Sequence, residues 1–218
     1  MSPCTIFGSR GPAKTPGGWD KLVEAGLVGP RINVVYGNDL SDEQLRRLVD
    51  LGVSFSVTPE NEMIQGHGFP ITGRLLKLGA RPLESVLAGD LFAAACVALS
   101  AQRALDNAEA RRATGGIPEA TTIRVREALR WITKGARMLG REDRIGSLAP
   151  GKLADLVVIN AEALNIAPMH DPVANVIMQT SLTNIGAVMI NAVWKKRGGR
   201  LLFDSLERWM RKLAQSGV

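Results

Sequence analysis

The chain has 218 residues, 45% of them apolar and 22% charged, so it can bury a sizeable core in one large domain. Its formal net charge of +6 makes the surface mildly basic, which argues against a nucleic-acid-binding protein. No uninterrupted apolar run approaches the roughly 18 residues that cross a bilayer, and no basic segment followed by an apolar one opens the chain. We therefore expect a cytoplasmic protein with neither a nucleic-acid partner nor a membrane partner.

Up to about residue 140, short β-rich segments alternate with helical ones. The composition predicts strands at 3–8, 32–36 and 53–57, and helices at 19–25, 41–51, 72–78, 90–112 and 122–139. Ser41 followed by Gln44 is a capping-box pattern, and residues 60–70 are predicted to form a polar loop. Strands separated by helices at this spacing predict parallel βαβ units, and therefore an α/β fold.

After residue 144 the pattern changes to short strands, predicted at 154–159 and 187–194 with a turn at 169–172 between them. The tetrapeptide Ala149-Pro150-Gly151-Lys152 predicts a type II turn, because Pro presets φ and Gly accepts a positive φ. An amphipathic helix is predicted at 201–216. We therefore divide the chain into an α/β region at 1–143, a small β region at 144–200 and a C-terminal helix at 201–218.

Several stretches resemble a known family. The most specific is the run Ile-Gly-Ser-Leu-Ala-Pro-Gly-Lys-Leu-Ala-Asp-Leu at 145–156, preceded by a helical segment from 128 to 140. Residues 38–50, 59–68 and 188–194 match in order as well. Together they resemble the C-terminal half of the amidohydrolase superfamily, in the branch of the cytosine deaminases, chlorohydrolases and adenosylhomocysteine deaminases. The resemblance implies the second half of a (β/α)₈ barrel, followed by part of a small β-sandwich.

Members of that superfamily hydrolyse C–N or C–Cl bonds of small ring compounds with water activated by Zn²⁺ or Fe²⁺. The resemblance implies a His-x-His pair, further histidines at strand ends and an aspartate near the last strand. This chain has two histidines in all, and Phe7 and Tyr36 stand where strand-ending histidines are expected. The aspartate is missing from a shortened segment between Leu83 and Asp90, and Asp90 is better explained as a helix N-cap. We therefore predict no metal and no other cofactor.

The polar segment after the third predicted strand contains Glu60, Glu62 and His67. The resemblance places it at the active face, so these residues and Tyr36 are candidates for a substrate pocket, while the catalytic residues stay unknown. Two carboxylates and an imidazole could transfer protons or bind a metal weakly. They could equally fix the loop geometry or remain from a lost pocket. His170, beside Asp171-Pro172, is predicted to be a surface turn residue.

Three functions are compatible with the sequence, and they leave open whether the chain is an enzyme. The first is a hydrolase that works in a larger assembly, in which another chain supplies the missing strands and histidines. The second is a truncated, non-catalytic homologue that binds a small molecule or a protein. The third and weakest is a binding module based on the basic residues between 195 and 212. Half of a barrel would leave strand edges open, so we expect self-association or a complementing chain.

Overall fold

The computed structural model describes residues 4–7, 17–80, 83–84, 89–118, 122–133 and 135–216. These residues form a mixed α/β fold with two four-stranded sheets, one parallel and one antiparallel. No helix in these ranges has the length and apolar character needed to cross a membrane.

The first sheet is parallel, and its strands follow one another in chain order. They are β1 (Cys4–Phe7), β2 (Ile32–Val35), β3 (Ser54–Val57) and β4 (Leu83–Glu84). The helices between them are α1 (Gly18–Glu24), α2 (Asp42–Asp50), α3 (Pro59–Ile64) and α4 (Thr72–Lys77). The predicted parallel arrangement is therefore confirmed. Strand β4 was not predicted, and residues 85–88 of the shortened segment lie outside the described residues.

Helix α2 begins at a capping motif and packs one side into the core. The Ser41 hydroxyl accepts a hydrogen bond from the Gln44 amide while the Gln44 side chain accepts one from the Ser41 amide, so the predicted capping box is confirmed. Leu45 and Leu48 lie on the same side of this helix and are both buried. They belong to a core cluster that includes buried residues of β2 and β3.

A second core cluster lies among the helices α5 (Leu91–Thr114), α6 (Val125–Thr133) and α8 (Pro172–Met178). Asp90 accepts hydrogen bonds from the amides of Phe92 and Ala93, which confirms it as the N-cap of α5. The helix predicted over 122–139 is confirmed at Val125–Thr133 and at Gly135–Met138, which we label α6 and α7, while the residue between them lies outside the described residues. Helix α8 begins at Pro172, the last residue of the turn predicted at 169–172.

The second sheet is an antiparallel meander of β5 (Leu156–Ile159), β6 (Ile185–Ile190), β7 (Val193–Arg197) and β8 (Arg200–Leu201). A 3₁₀-helix, Leu182–Asn184, precedes β6, and helix α9 (Leu206–Ser216) follows β8. The predicted turn before β5 is confirmed, because the Lys152 amide donates to the Ala149 carbonyl and Gly151 has φ +85°. The predicted strand at 187–194 is wrong, since β6 and β7 divide it.

Candidate functional site

The candidate site lies where β2 and β3 end. Tyr36 directly follows β2, and Thr58 directly follows β3. Because these strands are parallel neighbours, their carboxyl ends meet at one edge of the sheet, the edge at which open and closed α/β sheets bind ligands. The predicted polar loop between 60 and 70 is wrong in its first half, because Pro59–Ile64 forms helix α3.

Glu62 joins the two strand ends from a fully buried position. One carboxylate oxygen accepts a hydrogen bond from Asn38 Nδ2 at 2.7 Å, and the other accepts one from the Thr58 amide at 2.5 Å. Burial raises the pKa of the Glu62 carboxyl above its ordinary 4.5, although these hydrogen bonds and the charge of His67 act in the opposite direction. Glu62 therefore fixes the geometry of the site, and both of its oxygens are already in use.

Asn38 connects the Glu62 carboxylate to the backbone of Phe69, beyond helix α3. Its Nδ2 also donates to the Phe69 carbonyl at 2.9 Å. The other atom of the same amide, Oδ1, is buried and has no hydrogen-bond partner among the residues that the structure describes. The amide of His67 donates to the Glu62 carbonyl at 2.8 Å, which closes a turn at the end of α3.

Tyr36 and His67 form a stacked aromatic pair, with ring centroids 5.4 Å apart and an interplanar angle of 24°. Asn61 Nδ2 donates to the Tyr36 hydroxyl at 2.7 Å, and Asn61 Oδ1 accepts from Gln65 Nε2 at 2.6 Å. Gln65 Oε1 lies 3.3 Å from His67 Nε2. These contacts close a ring of four side chains. Tyr36 adopts φ +73°, a left-handed conformation that non-glycine residues adopt mainly where the surroundings hold them.

Three of the four predicted pocket residues, Tyr36, Glu62 and His67, are thus brought together by the structure. Glu60 stands apart, half-buried and without a hydrogen bond to any described residue. His170 is exposed, as predicted. Sequence reasoning missed Asn38, Asn61 and Gln65. The position of Asn38 just beyond a predicted strand was the signal that could have identified it.

The side chains that the structure describes at this edge do not fit a catalytic metal. Within the described ranges, no three His, Cys, Asp or Glu residues lie close enough together to hold a metal ion. The ring of Tyr36 occupies the end of β2, and the Glu62 oxygens are engaged by hydrogen bonds. What the cluster offers is a planar aromatic face with amide groups beside it, which suits binding of a flat polar ring more than activation of water.

A protein-family model described as the amidohydrolase family matches residues 12–196, which is most of the chain. The chain belongs to the amidohydrolase family. It is 33% identical over 183 residues to the 8-oxoguanine deaminase of Pseudomonas aeruginosa, in a match that covers 81% of this chain and 38% of that protein. It is 26% identical over 211 residues to the 5'-deoxyadenosine deaminase of Methanothermobacter thermautotrophicus, covering 96% and 47% of the two chains.

Solved structures of amidohydrolase-like enzymes share the fold. An adenosine deaminase from Xanthomonas campestris with bound zinc superposes with a TM-score of 0.85 at 23% identity, covering 98% of this chain and 49% of that one. A mutant of the atrazine chlorohydrolase from Arthrobacter aurescens gives a TM-score of 0.80 at 20% identity, covering 98% and 48%. The chain therefore spans less than half the length of these relatives.

Proposed function

We propose that this chain is the ring-binding part of an amidohydrolase-type hydrolase that acts on C–N or C–Cl bonds of small ring compounds. Its four parallel strands would be the second half of a (β/α)₈ barrel, and the missing half would come from another polypeptide segment. Family membership and the deaminases among its relatives support the reaction class. The stacked pair of Tyr36 and His67 at the carboxyl edge of the sheet is the observation that carries the proposal.

Each residue of the cluster has a binding or positioning role in this proposal. The Tyr36 and His67 rings provide a face on which a planar ring can stack. Aromatic rings attract one another in offset-stacked arrangements. Asn61 and Gln65 hold that face in place through their hydrogen bonds. Glu62 positions the two strand ends and does not touch the substrate. The hydrolytic step itself is assigned to groups outside the described residues, because the described residues at this edge do not fit a metal.

Nuclear magnetic resonance tests the binding step with little ambiguity. The chain contains one tyrosine and two histidines, so each of these rings gives an assignable signal. We expect 8-oxoguanine or 5'-deoxyadenosine to shift the ring signals of Tyr36 and His67 and to leave the exposed His170 unchanged. The variant His67→Ala should abolish the shift at Tyr36, whereas the matched variant His170→Ala should not. Equal shifts at both histidines, or none with millimolar ligand, would refute the proposal.

An ammonia-release assay separates binding from hydrolysis. We expect no turnover by the purified chain alone, with or without added Zn²⁺. Turnover that a chelator abolishes would show that the chain holds a catalytic metal by itself, and would refute the division of roles proposed here.

The second candidate is a non-catalytic homologue that only binds a small molecule or a protein. The replacement of an expected histidine by Tyr36 favours it, because the Tyr36 ring is built into the cluster and does not stand free. Adding the missing segment of a relative distinguishes the two candidates. Restored turnover supports the hydrolase, and ligand binding without turnover in the complex supports the non-catalytic homologue.

A further inference from the structure

The hydrogen-bonded side chains of the candidate site can each donate and accept. Asn61 joins the Tyr36 hydroxyl to Gln65, and Gln65 in turn joins Asn61 to the imidazole of His67. A hydroxyl, a primary amide and a neutral imidazole each carry at least one donor and one acceptor. No carboxylate, ammonium or backbone group takes part in these three contacts. We call the four side chains the relay: Tyr36, Asn61, Gln65 and His67.

The relay has two possible directions of hydrogen bonding. In the observed direction Gln65 donates to Asn61, and Asn61 donates to the Tyr36 hydroxyl. Gln65 Oε1 then faces His67 Nε2, so Nε2 is the nitrogen that carries the proton of the neutral ring. Rotating both amides by half a turn exchanges their nitrogen and oxygen atoms with little change of shape. In that reverse direction the Tyr36 hydroxyl donates, His67 Nε2 accepts, and the proton sits on Nδ1.

Asn38, at the same site, shows an amide whose direction is fixed. Its Nδ2 donates to a Glu62 oxygen and to the Phe69 carbonyl, and both of these groups can only accept. The side chains of Asn61 and Gln65 have no hydrogen bond outside the relay among the residues that the structure describes. The two directions therefore make the same number of internal hydrogen bonds, and a bound ligand can decide between them.

We propose that a flat ring bound at this site places its exocyclic group on the Tyr36 hydroxyl, and that the relay reverses to accept either an amino or an oxo group there. The inference rests on the proposed function, which brings such a ring to this edge. A hydroxyl can donate once and accept twice, so its bond with Asn61 leaves capacity for a ligand. The 5.4 Å between the ring centroids indicates offset stacking, which leaves part of the His67 face for the ligand ring.

The identity of the exocyclic group selects the direction. An oxo group accepts from the Tyr36 hydroxyl and keeps the observed direction, in which Asn61 donates to the same oxygen. An amino group donates to the hydroxyl, whose own proton then turns to Asn61 and favours the reverse direction. Because deamination replaces an amino group by an oxo group, the relay would hold substrate and product in one orientation. Tyr36 is thus a specificity-determining residue, and the proton of His67 moves from Nδ1 to Nε2 without a change of charge.

Adenine and hypoxanthine are the probes, because they share one ring system and carry an amino and an oxo group at the same position. Nitrogen-15 resonance of the labelled histidines at about pH 8.5, where an ordinary imidazole is neutral, shows which ring nitrogen carries the proton. We expect the proton of His67 on Nδ1 with adenine and on Nε2 with hypoxanthine, and dissociation constants within about tenfold of each other. The exposed His170 should give the same spectrum in both complexes.

Gln65→Leu interrupts the relay at an exposed position, where the fold tolerates the change. Both probes should still shift the ring signals of Tyr36 and His67, but His67 should then be protonated in the same way in both complexes. Binding of the probes should weaken by about fivefold, as expected for one lost hydrogen bond. Gln179→Leu is the matched control, because Gln179 is another exposed glutamine, at the end of α8, and it should leave binding and proton position unchanged.

The same protonated nitrogen of His67 in both complexes of the parent chain would overturn the inference. That result means that the ligand turns over or makes no contact with the hydroxyl, and ring shifts would still support the proposed function. A change of nitrogen that persists in Gln65→Leu would also overturn it, because the relay would then not be its cause. Absence of ring shifts with either probe would refute both the inference and the proposed function.

Discussion

Removing the Glu62 side chain tests whether this carboxylate holds the candidate site together. Glu62→Ala leaves the partly buried amide of Thr58 without its acceptor, and a donor left unsatisfied inside the fold costs roughly 1–3 kcal/mol. Asn38 Nδ2 loses one bond but keeps the one to the Phe69 carbonyl. The removed side chain also leaves a cavity, whose cost adds to that of the unsatisfied donor. We therefore expect the free energy of unfolding to fall by about 3 kcal/mol.

Glu62→Gln keeps the shape of the side chain and removes its charge. One of the two donors, Asn38 Nδ2 or the Thr58 amide, then faces the side-chain nitrogen of the new glutamine. If the Asn38 amide rotates, its unpaired Oδ1 can accept a hydrogen bond from that nitrogen. Rotation gives up the bond to Phe69, so we expect a loss of about 1 kcal/mol at neutral pH.

The comparison of the parent chain with Glu62→Gln also isolates the titration of this one carboxyl. Its pKa in the folded chain is raised above 4.5, so its contribution to stability is fully present below pH 4.5 and is lost as pH rises through the raised value. The parent chain should therefore lose stability relative to Glu62→Gln between pH 4 and pH 7.5. Urea unfolding at both pH values, followed by tryptophan fluorescence, measures the difference. Identical pH dependence of the two proteins would refute the raised pKa.

Four further outcomes are expected. Gly73→Ala places a Cβ within 2.1–2.4 Å of the buried Gln102 amide group, which must move and give up the hydrogen bonds that it accepts from the Gly73 amide and donates to Asp106, so stability should fall by about 2 kcal/mol. Gly29→Ala, whose Cβ meets nothing within 4 Å, serves as the control in the same urea titration. Ala192→Gly should raise the melting temperature by relieving a φ of +61°, at a gain of about 1 kcal/mol. Tyr36→Phe keeps the stack but removes a hydrogen-bond acceptor, so urea unfolding should show a loss of about 1 kcal/mol. Elemental analysis after dialysis should find no bound transition metal, and about one Zn or Fe per chain would contradict this.

Several helix starts and turns of this fold can be predicted from a few adjacent residues. The capping box at Ser41, the N-cap at Asp90 and the turn at Gly151 are set by a few adjacent residues, and all three are confirmed. Helix α8 carried such a signal too, because Asp171 accepts from the amides of Val173 and Ala174 and proline occupies the first helical position. In the sequence alone, that aspartate and proline also fit a turn, which is the prediction made above.

The division between β6 and β7 could not be found from the apolar pattern alone. Residues 187–194 are apolar almost throughout, which predicts one continuous strand. The chain turns at Asn191 and Ala192, which adopt φ +50° and +61°. Two successive left-handed residues are typical of a type I′ hairpin turn, in which asparagine followed by glycine is preferred. Alanine at the second position hides that signal.

The candidate site was predicted only in part, because its organisation depends on contacts between segments distant in sequence. Tyr36 and His67 were identified as pocket candidates, but nothing in their spacing indicates that their rings stack. The amides of Asn38, Asn61 and Gln65 gain their roles only once α3 has formed. A polar segment after a strand predicts where a site lies, and the packing of the following helix decides which side chains belong to it.

The contacts within this cluster bear on whether it is the remnant of a lost pocket or a site that still binds a ligand. A pocket that had lost its ligands and its use would have no reason to hold Tyr36 in a left-handed conformation, which costs about 1–2 kcal/mol. Here Asn61 holds its hydroxyl, His67 stacks on its ring, and Glu62 binds both adjoining strand ends from a buried position. The tyrosine that stands in place of an expected histidine is thus held through both its ring and its hydroxyl. That organisation supports the proposed binding of a flat ring, and the same proposal assigns hydrolysis to groups outside the described residues.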